Sequence, residues 1–311
     1  MDLTQLRGLV AASGPFASVY LDDSPVRWRE VRATLAEAGA DEATLSSVDR
    51  AVEDGRTGRA LIAAGGRVLL DRSLPEPPAQ PLARWSALPY LTPLLEHTEA
   101  DLSHVVVLGE EILGYDGGGR LVENTKQDNA IALAETADRM VRRLGAGLLV
   151  LAGEVQARTA VRAALPEHSA AITEEIPGTD RSTVDEAVHK LMEQRADALG
   201  HNAVDRFRVE LNRKGAAAQG LHAVAAALRE GRVDTLLLDV AAMADHTIWI
   251  GSEPTQIAVD EAELRSLGVP HLARERADSA LVMAAVATGA RLHLVAGEPE
   301  LADGVGALLR G

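Results

Sequence analysis

The sequence predicts an α/β protein, and three observations favour that class. Apolar runs long enough for buried strands, such as residues 148–152, alternate with segments of helical periodicity. Glycine or proline separates most of these segments. The 311 residues are 47% hydrophobic and 25% charged, which is typical of globular proteins. At about 100–200 residues per domain, the length predicts two or three domains, and we divide the chain into segments 1–100, 101–180 and 181–311.

The first predicted domain is a small sheet with helices. Its elements in order are a helix over 3–12, a strand over 16–23, helices from Val26 and over 41–54, a hairpin over 59–71, and a returning strand over 83–88. Gly65–Gly66 fits a two-residue hairpin turn. Four prolines between 73 and 81 exclude a central strand there, so we expect a surface loop.

The second predicted domain has a β-α-β-α-β order, which implies a parallel or mixed sheet. Its elements are strands within 104–116, a helix over 125–144, a strand over 148–154, a helix over 155–164 and a strand over 169–176. The apolar stripe of the first helix should be buried. It comprises Ile131, Ala134, Ala137, Met140, Val141 and Leu144.

Two bridging helices over 182–213, broken near Gly200, should lead into the third domain. There we expect a first helix with Leu221, Val224, Ala225 and Leu228 inward and Gly231 as its C-cap. Further helices should cover 260–267 and 278–288, the last with Asp278 as its N-cap. Strands should cover 234–240, 246–251, 271–277, 291–297 and 304–310. We expect this segment to fold independently around one core. The core residues are Leu221, Val224, Leu228, Leu236, Leu237, Leu238, Leu281, Val286, Leu292 and Leu294.

Composition excludes several function classes. The chain lacks cysteine, which excludes disulfides, zinc–thiolate sites and cysteine nucleophiles. Its net charge is −15, and the acidic excess extends over all three segments, which disfavours broad capture of a phosphate backbone. No apolar run is long enough for a membrane span and no signal peptide is recognisable, so we expect a cytoplasmic protein without membrane contact.

Motifs for common chemistries are absent from the sequence. There is no Walker loop, no Gly-x-Gly-x-x-Gly and no Gly-x-Ser-x-Gly elbow, and we expect no cofactor. Three weaker candidates have ordinary structural explanations beside their functional ones. His201 and Asp205 could begin a metal site or lie on a solvated helix face. Asp22–Asp23 could act as acid and base, bind Mg²⁺ or simply end a strand. Gly117–Gly119 could cradle phosphate or form a hairpin turn.

Six arginines cluster around the first two long helices. They are Arg27, Arg29, Arg32, Arg50, Arg56 and Arg59. Such a cluster is either a solvated face or a local phosphate-binding surface, and we select it as the candidate RNA-binding site. Arg139, Arg142 and Arg143 on the middle helix have the same two interpretations.

Five segments resemble archaeo-eukaryotic release factors and Pelota. GLHAVAAALREGRVDTLLL is similar to the opening of their third domain, and LLVLAGEVQARTAVRAALP to part of their second. LVAASGPFASVYLDDS, GRALIAAG and DGVGALLR resemble more narrowly the actinobacterial branch of their bacterial homologues, family 2. The wider bacterial group includes the ribosome hibernation factor Balon. This resemblance implies an RNase-H-like middle domain and a C-terminal domain similar to small kink-turn-binding ribosomal proteins.

The resemblance fails at one motif that matters. Release factors hydrolyse peptidyl-tRNA with a Gly-Gly-Gln loop before the long middle helix, and the corresponding stretch here is GGGRLVENTKQDN. Gln127 follows Lys126 rather than two glycines, and Arg120 stands after the glycine run. We therefore expect a middle-domain loop without hydrolytic activity. Its residues are Gly117, Gly118, Gly119, Arg120, Lys126 and Gln127.

The resemblance implies a non-catalytic protein that binds the ribosomal A site under stress or in hibernation. Its N-terminal domain would face rRNA at the decoding centre, and a translational GTPase such as EF-Tu becomes a candidate partner of its C-terminal domain. Two alternatives stay open. One is a peptidyl-tRNA hydrolase or nuclease of the same superfamily, and the other is a stress-linked interaction protein without a ribosomal role.

Overall fold

The computed structural model describes residues 6–21, 25–52, 58–74, 80–96, 103–116, 121–297 and 300–311. Contacts divide the chain into two compact units. One contains residues 99–199, here called the middle unit. The other combines residues 3–98, the N-terminal segment, with residues 200–311, the C-terminal segment. The predicted α/β class is confirmed, while the three predicted domain boundaries stay a prediction.

The N-terminal segment is a four-stranded antiparallel sheet with helices. Its elements are α1 (Arg7–Val10), β1 (Phe16–Leu21), α2 (Pro25–Glu37), α3 (Glu42–Val52), β2 (Arg59–Ala64), β3 (Arg67–Ser73), β4 (Leu82–Ser86) and α4 (Thr92–Glu96), and the strand order is β3-β2-β1-β4. Alternate residues of β1, namely Ala17, Val19 and Leu21, pack in one core with side chains of α2 and α3. The predicted hairpin is present, and both Gly65 and Gly66 have the positive φ that its turn requires.

The middle unit is a mixed five-stranded sheet. Its elements are β5 (His104–Leu108), β6 (Glu111–Tyr115), β7 (Leu121–Lys126), α5 (Ala130–Leu144), β8 (Leu148–Ala152), α6 (Val155–Ala164), α7 (Glu167–Ala170) and β9 (Thr173–Ile176). The strand order is β7-β6-β5-β8-β9, with β5, β8 and β9 parallel. Helices α5 and α6 cover one face.

The predicted helix over 125–144 starts too early. Thr125 and Lys126 belong to β7, which pairs with β6, and the helix begins only after Asn129, whose side chain accepts the N–H of Ala132. The predicted stripe is wrong at Ile131, which is 65% exposed, since the buried residue of that turn is Leu133. The other five predicted residues are buried or half-buried, so the phase of the stripe is right and only its first position is wrong.

Helix α8 (Arg181–Asn212) is a single helix of 32 residues, so the predicted break near Gly200 is wrong. Its Val184, Val188 and Met192 cover the second face of the middle sheet. Glycine weakens a helix interior by about 1 kcal/mol, which tertiary packing on both sides can outweigh. The boundary between the two compact units nevertheless falls between residues 199 and 200, within this helix.

The C-terminal segment contains two small sheets. Its elements are β10 (Ala217–Gln219), α9 (Leu221–Arg229), β11 (Val233–Leu238), α10 (Val240–Met243), β12 (Thr247–Ile250), β13 (Ile257–Ala258), α11 (Glu261–Ser266), β14 (Ala273–Arg276), α12 (Ala277–Thr288), β15 (Arg291–Leu294) and β16 (Val305–Leu309). One sheet has the order β10-β16-β11-β15, and the other β13-β12-β14.

Helix α12 lies at the centre of the C-terminal segment. Residues 277–286 are all buried, as expected for a helix that is apolar all round. The predicted N-cap Asp278 lies inside the first turn, where its buried carboxylate binds Arg276. Of the ten predicted core residues, nine are buried; the tenth, Leu294, is 36% exposed at the end of the edge strand β15.

Candidate functional site

The turn between β5 and β6 and the starts of α5 and α6 meet at one end of the middle unit. The N–H of Gln127 donates to the carbonyl oxygen of Glu110 at 2.9 Å. A Cβ atom on Gly153 would lie 3.7 Å from the backbone nitrogen of Gly109. We call this end, formed by residues 109–111, 126–131 and 153–155, the tip.

The tip is built by the carboxyl ends of two neighbouring parallel strands. Leu108 of β5 pairs with Ala152 of β8, and a glycine with positive φ follows each strand, Gly109 with φ 62° and Gly153 with φ 116°. Those backbone angles let the chain leave both strands sharply at the same edge. In open α/β sheets, ligands bind at this edge, which makes the tip the candidate site of the middle unit.

Two of the predicted middle-domain loop residues, Lys126 and Gln127, lie in the tip, and each is held there by contacts with the β5–β6 turn and β6. Lys126 Nζ lies 2.9 Å from Glu111 Oε1, and this pair raises the pKa of Lys126 and lowers the pKa of Glu111. Gln127 is held through its backbone directly after β7. Gly117, Gly118, Gly119 and Arg120 lie outside the described residues.

The exposed groups of the tip are carboxylates and apolar side chains. Glu110, Asp128 and Glu154 are exposed, and so are Ile131 at 65% and Val155 at 67%. Across the described residues, no group of three or more histidines and carboxylates is placed to hold a metal ion, which includes His201 and Asp205. Asp22 and Asp23 lie outside the described residues.

The predicted arginine surface is only partly assembled. Arg27, Arg29 and Arg50 are exposed on α2 and α3. Arg32 is half-buried and bonds to both oxygens of Asp49 at 3.1 Å and to Glu42 at 2.5 Å, so its charge is compensated locally. Arg56 lies outside the described residues.

Arg59 does not belong to this surface. It is 1% exposed, its Nη2 lies 2.6 Å from Asp71 Oδ2, and its Nη1 donates to the carbonyl oxygen of Ala51. Its position at the start of β2, facing the core under α3, explains the burial. Periodicity in the sequence gave no sign of it, because the partner Asp71 is on the neighbouring strand.

A Ser-His-Asp group that the sequence did not suggest lies between α5 and α7. Asp138 Oδ1 accepts a hydrogen bond from the Ser169 hydroxyl at 2.8 Å and lies 2.7 Å from His168 Nε2. Arg142 donates to the other carboxylate oxygen, Oδ2. A catalytic serine needs an accessible hydroxyl with the histidine between it and the carboxylate. Ser169 is fully buried and bonds to the carboxylate directly, so the group fastens α7 to α5.

A second charged cluster joins the N-terminal and C-terminal segments; we call it the junction. Buried Glu275 accepts the N–H of Ala87 at 3.1 Å and lies 3.5 Å from Arg84 Nη2. Two guanidinium groups lie near the Tyr90 ring, with Arg84 Cζ 5.4 Å and Arg276 Cζ 5.1 Å from its centroid. Contacts between residues so far apart in the chain leave no local signal in a sequence.

Beside the junction, a cleft of about 880 Å³ opens between the same two segments. Its walls come from residues 10–16, 85–88, 250–254 and 271–273. The lining combines apolar side chains such as Phe16 and Trp85 with exposed Glu253 and His271.

Among the helices of the described residues, none combines the length and the apolar character that a membrane span requires.

Comparison with known proteins gives a family match and relatives that align along nearly the whole chain. The model of the bacterial archaeo-eukaryotic release factor family 2 matches residues 96–213. The uncharacterized protein Rv2629 of Mycobacterium tuberculosis strain H37Rv is 34% identical, over 98% of this chain and 96% of its own length. The protein MT2704 of strain CDC 1551 matches with the same identity and coverage.

Solved structures of archaeal factors also align along the chain. Archaeal translation termination factor aRF1 is 16% identical over 99% of this chain and 96% of its own, with a TM-score of 0.25. Pelota from Archaeoglobus fulgidus is 14% identical over 99% and 91%, with a TM-score of 0.33. A model of ribosome-bound archaeal Pelota and ABCE1 is 12% identical over 99% and 93%, with a TM-score of 0.43.

Proposed function

The chain belongs to the bacterial archaeo-eukaryotic release factor family 2, and from this premise we propose that it binds the ribosome without hydrolysing peptidyl-tRNA. The observation that carries the proposal is the sequence before Gln127. The family relation supports a role in translation, whereas Gln127 follows Thr125–Lys126 instead of two glycines.

The geometry at Gln127 supports the absence of hydrolysis. A hydrolytic glutamine must approach the ester closely on a backbone free of side chains, which is what paired glycines provide. Here Lys126 is the last residue of β7 and is paired with Glu111, and Gln127 is anchored to Glu110. The residues directly before Gln127 belong to a paired strand, and Lys126 places a bulky cation where a release factor has glycine.

The proposed place on the ribosome is the A site under stress or in hibernation. The N-terminal segment would meet rRNA through exposed Arg27, Arg29 and Arg50, while the C-terminal segment would meet a translational GTPase such as EF-Tu. A net charge of −15 restricts rRNA contact to such local patches, because phosphate binding rewards basic surface.

Co-sedimentation with purified 70S ribosomes tests the binding. We expect the chain to pellet with vacant ribosomes and to be displaced by A-site tRNA. R29E/R50E should weaken binding at least threefold and reduce the slope of log K against log salt by roughly one per lost phosphate contact. The matched control is R265E, an exposed arginine on α11 in the C-terminal segment. Unchanged binding of R29E/R50E would show that these arginines form an ordinary solvated face without rRNA contact. If the chain does not pellet at all, a role away from the ribosome is favoured.

Peptide release from ribosome-bound peptidyl-tRNA tests the catalytic half. We expect release at the buffer background, with Q127A indistinguishable from the wild type. Release well above background that Q127A abolishes would contradict the proposal and establish the alternative, a peptidyl-tRNA hydrolase.

A further inference from the structure

We propose that the tip of the middle unit docks a basic protein segment that carries apolar side chains, rather than RNA. The inference deepens the proposed function by naming the class of partner that the middle unit meets on the ribosome. Only the location of the partner on the ribosome rests on the proposed function, because the surface of the tip is defined by side-chain exposure and charge.

The first observation is the exposure of two apolar side chains. Seven large hydrophobic residues are exposed among those described, and the two most exposed are Val155 at 67% and Ile131 at 65%. Single exposed apolar residues are ordinary on protein surfaces. These two lie in the first turns of two helices whose starts adjoin the same Gly109–Glu110 turn. Both side chains therefore lie at the tip, and we call them the apolar pair.

Local structure does not account for these two side chains. The buried stripe of α5 runs through Leu133, Ala134 and Ala137, so Ile131 contributes nothing to the core of the helix. The buried residue of α6 is Val161, and Val155 lies outside that core as well. Polar residues would serve both positions equally well in an isolated unit.

The second observation is the charge around the apolar pair. Glu110, Asp128 and Glu154 are exposed, and the cation of the tip, Lys126, is paired with Glu111. Helix dipoles favour carboxylates at the starts of α5 and α6, which accounts for Asp128 and Glu154 but not for Glu110 or the apolar pair. A negative rim repels a phosphate backbone and attracts lysine and arginine. The complementary partner is therefore a polypeptide with basic residues beside apolar ones.

The first test uses a defined peptide and a defined RNA with the full chain. The probes are a fluorescent twelve-residue peptide of alternating leucine and lysine, and a twelve-nucleotide oligo(U), measured by anisotropy at several salt concentrations. We expect the peptide to bind and the RNA not to bind. I131S/V155S should weaken peptide binding at least fivefold, and E110Q/E154Q at least threefold with a flatter salt dependence.

The matched control is L267S, which removes an apolar side chain that is 58% exposed on the C-terminal segment and should leave binding unchanged. All three variants should melt within a few degrees of the wild type, because the replaced side chains are exposed and the lost helix-dipole interaction of Glu154 costs at most about 1 kcal/mol. Peptide binding that is equal in wild type and I131S/V155S, or oligo(U) binding that exceeds peptide binding, would overturn the proposal.

The second test locates the contact on the ribosome. A benzoylphenylalanine at exposed Gln156, next to Val155, is irradiated in complex with purified 70S ribosomes. We expect a protease-sensitive adduct that maps to a lysine- and arginine-rich peptide, and an adduct with rRNA would overturn the inference. If the chain does not pellet with ribosomes while I131S/V155S still loses peptide binding, the proposed function fails and the docking surface stands.

Discussion

Individual side chains in this protein differ most from expectation where burial decides their role. Arg59 and Arg29 are both arginines near the first long helices, yet one is fully buried against Asp71 and the other is exposed. Asp138 is equally inconspicuous in the sequence, and it organises Ser169, His168 and Arg142 around one carboxylate. Residue type suggested which groups could carry charge, and the surroundings determined what that charge does.

Asp138 should make the stability of the middle unit depend on pH. Burial alone would raise its pKa, but hydrogen bonds from Arg142 and Ser169 and the charges of Arg142 and His168 outweigh burial and lower it. A lowered folded-state pKa gives stability that is complete above the unfolded value of about 3.9 and is lost as the pH falls through the lower folded value.

We therefore expect D138N to destabilise the middle unit by about 1–3 kcal/mol at pH 7. The difference from wild type should shrink as the pH falls from about 5 towards 2. Urea unfolding, monitored through hydrogen exchange in α5 and α7, measures this stability difference. A difference that stays constant down to about pH 2 would show that the Asp138 charge has no part in the stability.

Gly304 offers a second test at this scale. Its φ is 71°, and a Cβ atom would lie 2.9 Å from the Ala242 Cβ and 3.1 Å from the Asp239 carbonyl oxygen. The matched control is Gly231, whose φ is 67° and whose Cβ would meet nothing within 4 Å. Both alanine variants incur a backbone cost of about 1–2 kcal/mol. We expect G304A to lose clearly more thermal stability than G231A, and equal losses would mean that the contact with α10 is easily relieved.

At the scale of elements, the long helix α8 shows how packing outweighs a local preference. Gly200 marks the boundary between the compact units without interrupting the helix. The side chains of Val184 and Val188 pack on one sheet, and Phe207 packs in the core of the C-terminal segment. Burial at both ends holds the residues between them in helical conformation.

Replacing Gly200 with alanine should stabilise the protein by about 0.5–1 kcal/mol, since alanine is the better helix former. Space is available, because a Cβ atom at this position would lie 4.0 Å from its nearest neighbour, His293 Nδ1. Thermal unfolding measures the gain, and G200P should instead cost about 3 kcal/mol or more. A loss of stability in G200A would indicate that the helix is not continuous at this point in solution.

At the scale of the whole molecule, the two ends of the chain fold together while the middle forms a unit of its own. Residues 3–98 and 200–311 form one compact unit through contacts that include the junction at Glu275. Charged contacts of this kind are common where segments of one chain dock. The C-terminal segment, whose independent folding stays a prediction, shares these contacts with the N-terminal segment.

E275Q tests whether the two segments are coupled. Loss of the charge weakens the bonds from Arg84 and the Ala87 N–H, so hydrogen-exchange protection should fall in β4 and in β14 together, while β8 of the middle unit is unchanged. The control E263Q breaks the 2.5 Å pair with Arg229, which lies wholly within the C-terminal segment, and should leave β4 protected. Loss of protection in β14 alone under E275Q would mean that the segments fold separately.

The sequence by itself determined the α/β class, most strands and helices, the Gly65–Gly66 hairpin and the family relation, because these depend on periodicity, turn residues and local motifs. Tertiary structure decided the continuity of α8, the burial of Arg59 and Asp278, and the junction of Arg84 with Glu275. It also placed Gln127 beside Glu110 and Gly153 beside Gly109. Those features depend on which distant residues come into contact, and the energy of such contacts leaves no periodic trace along the chain.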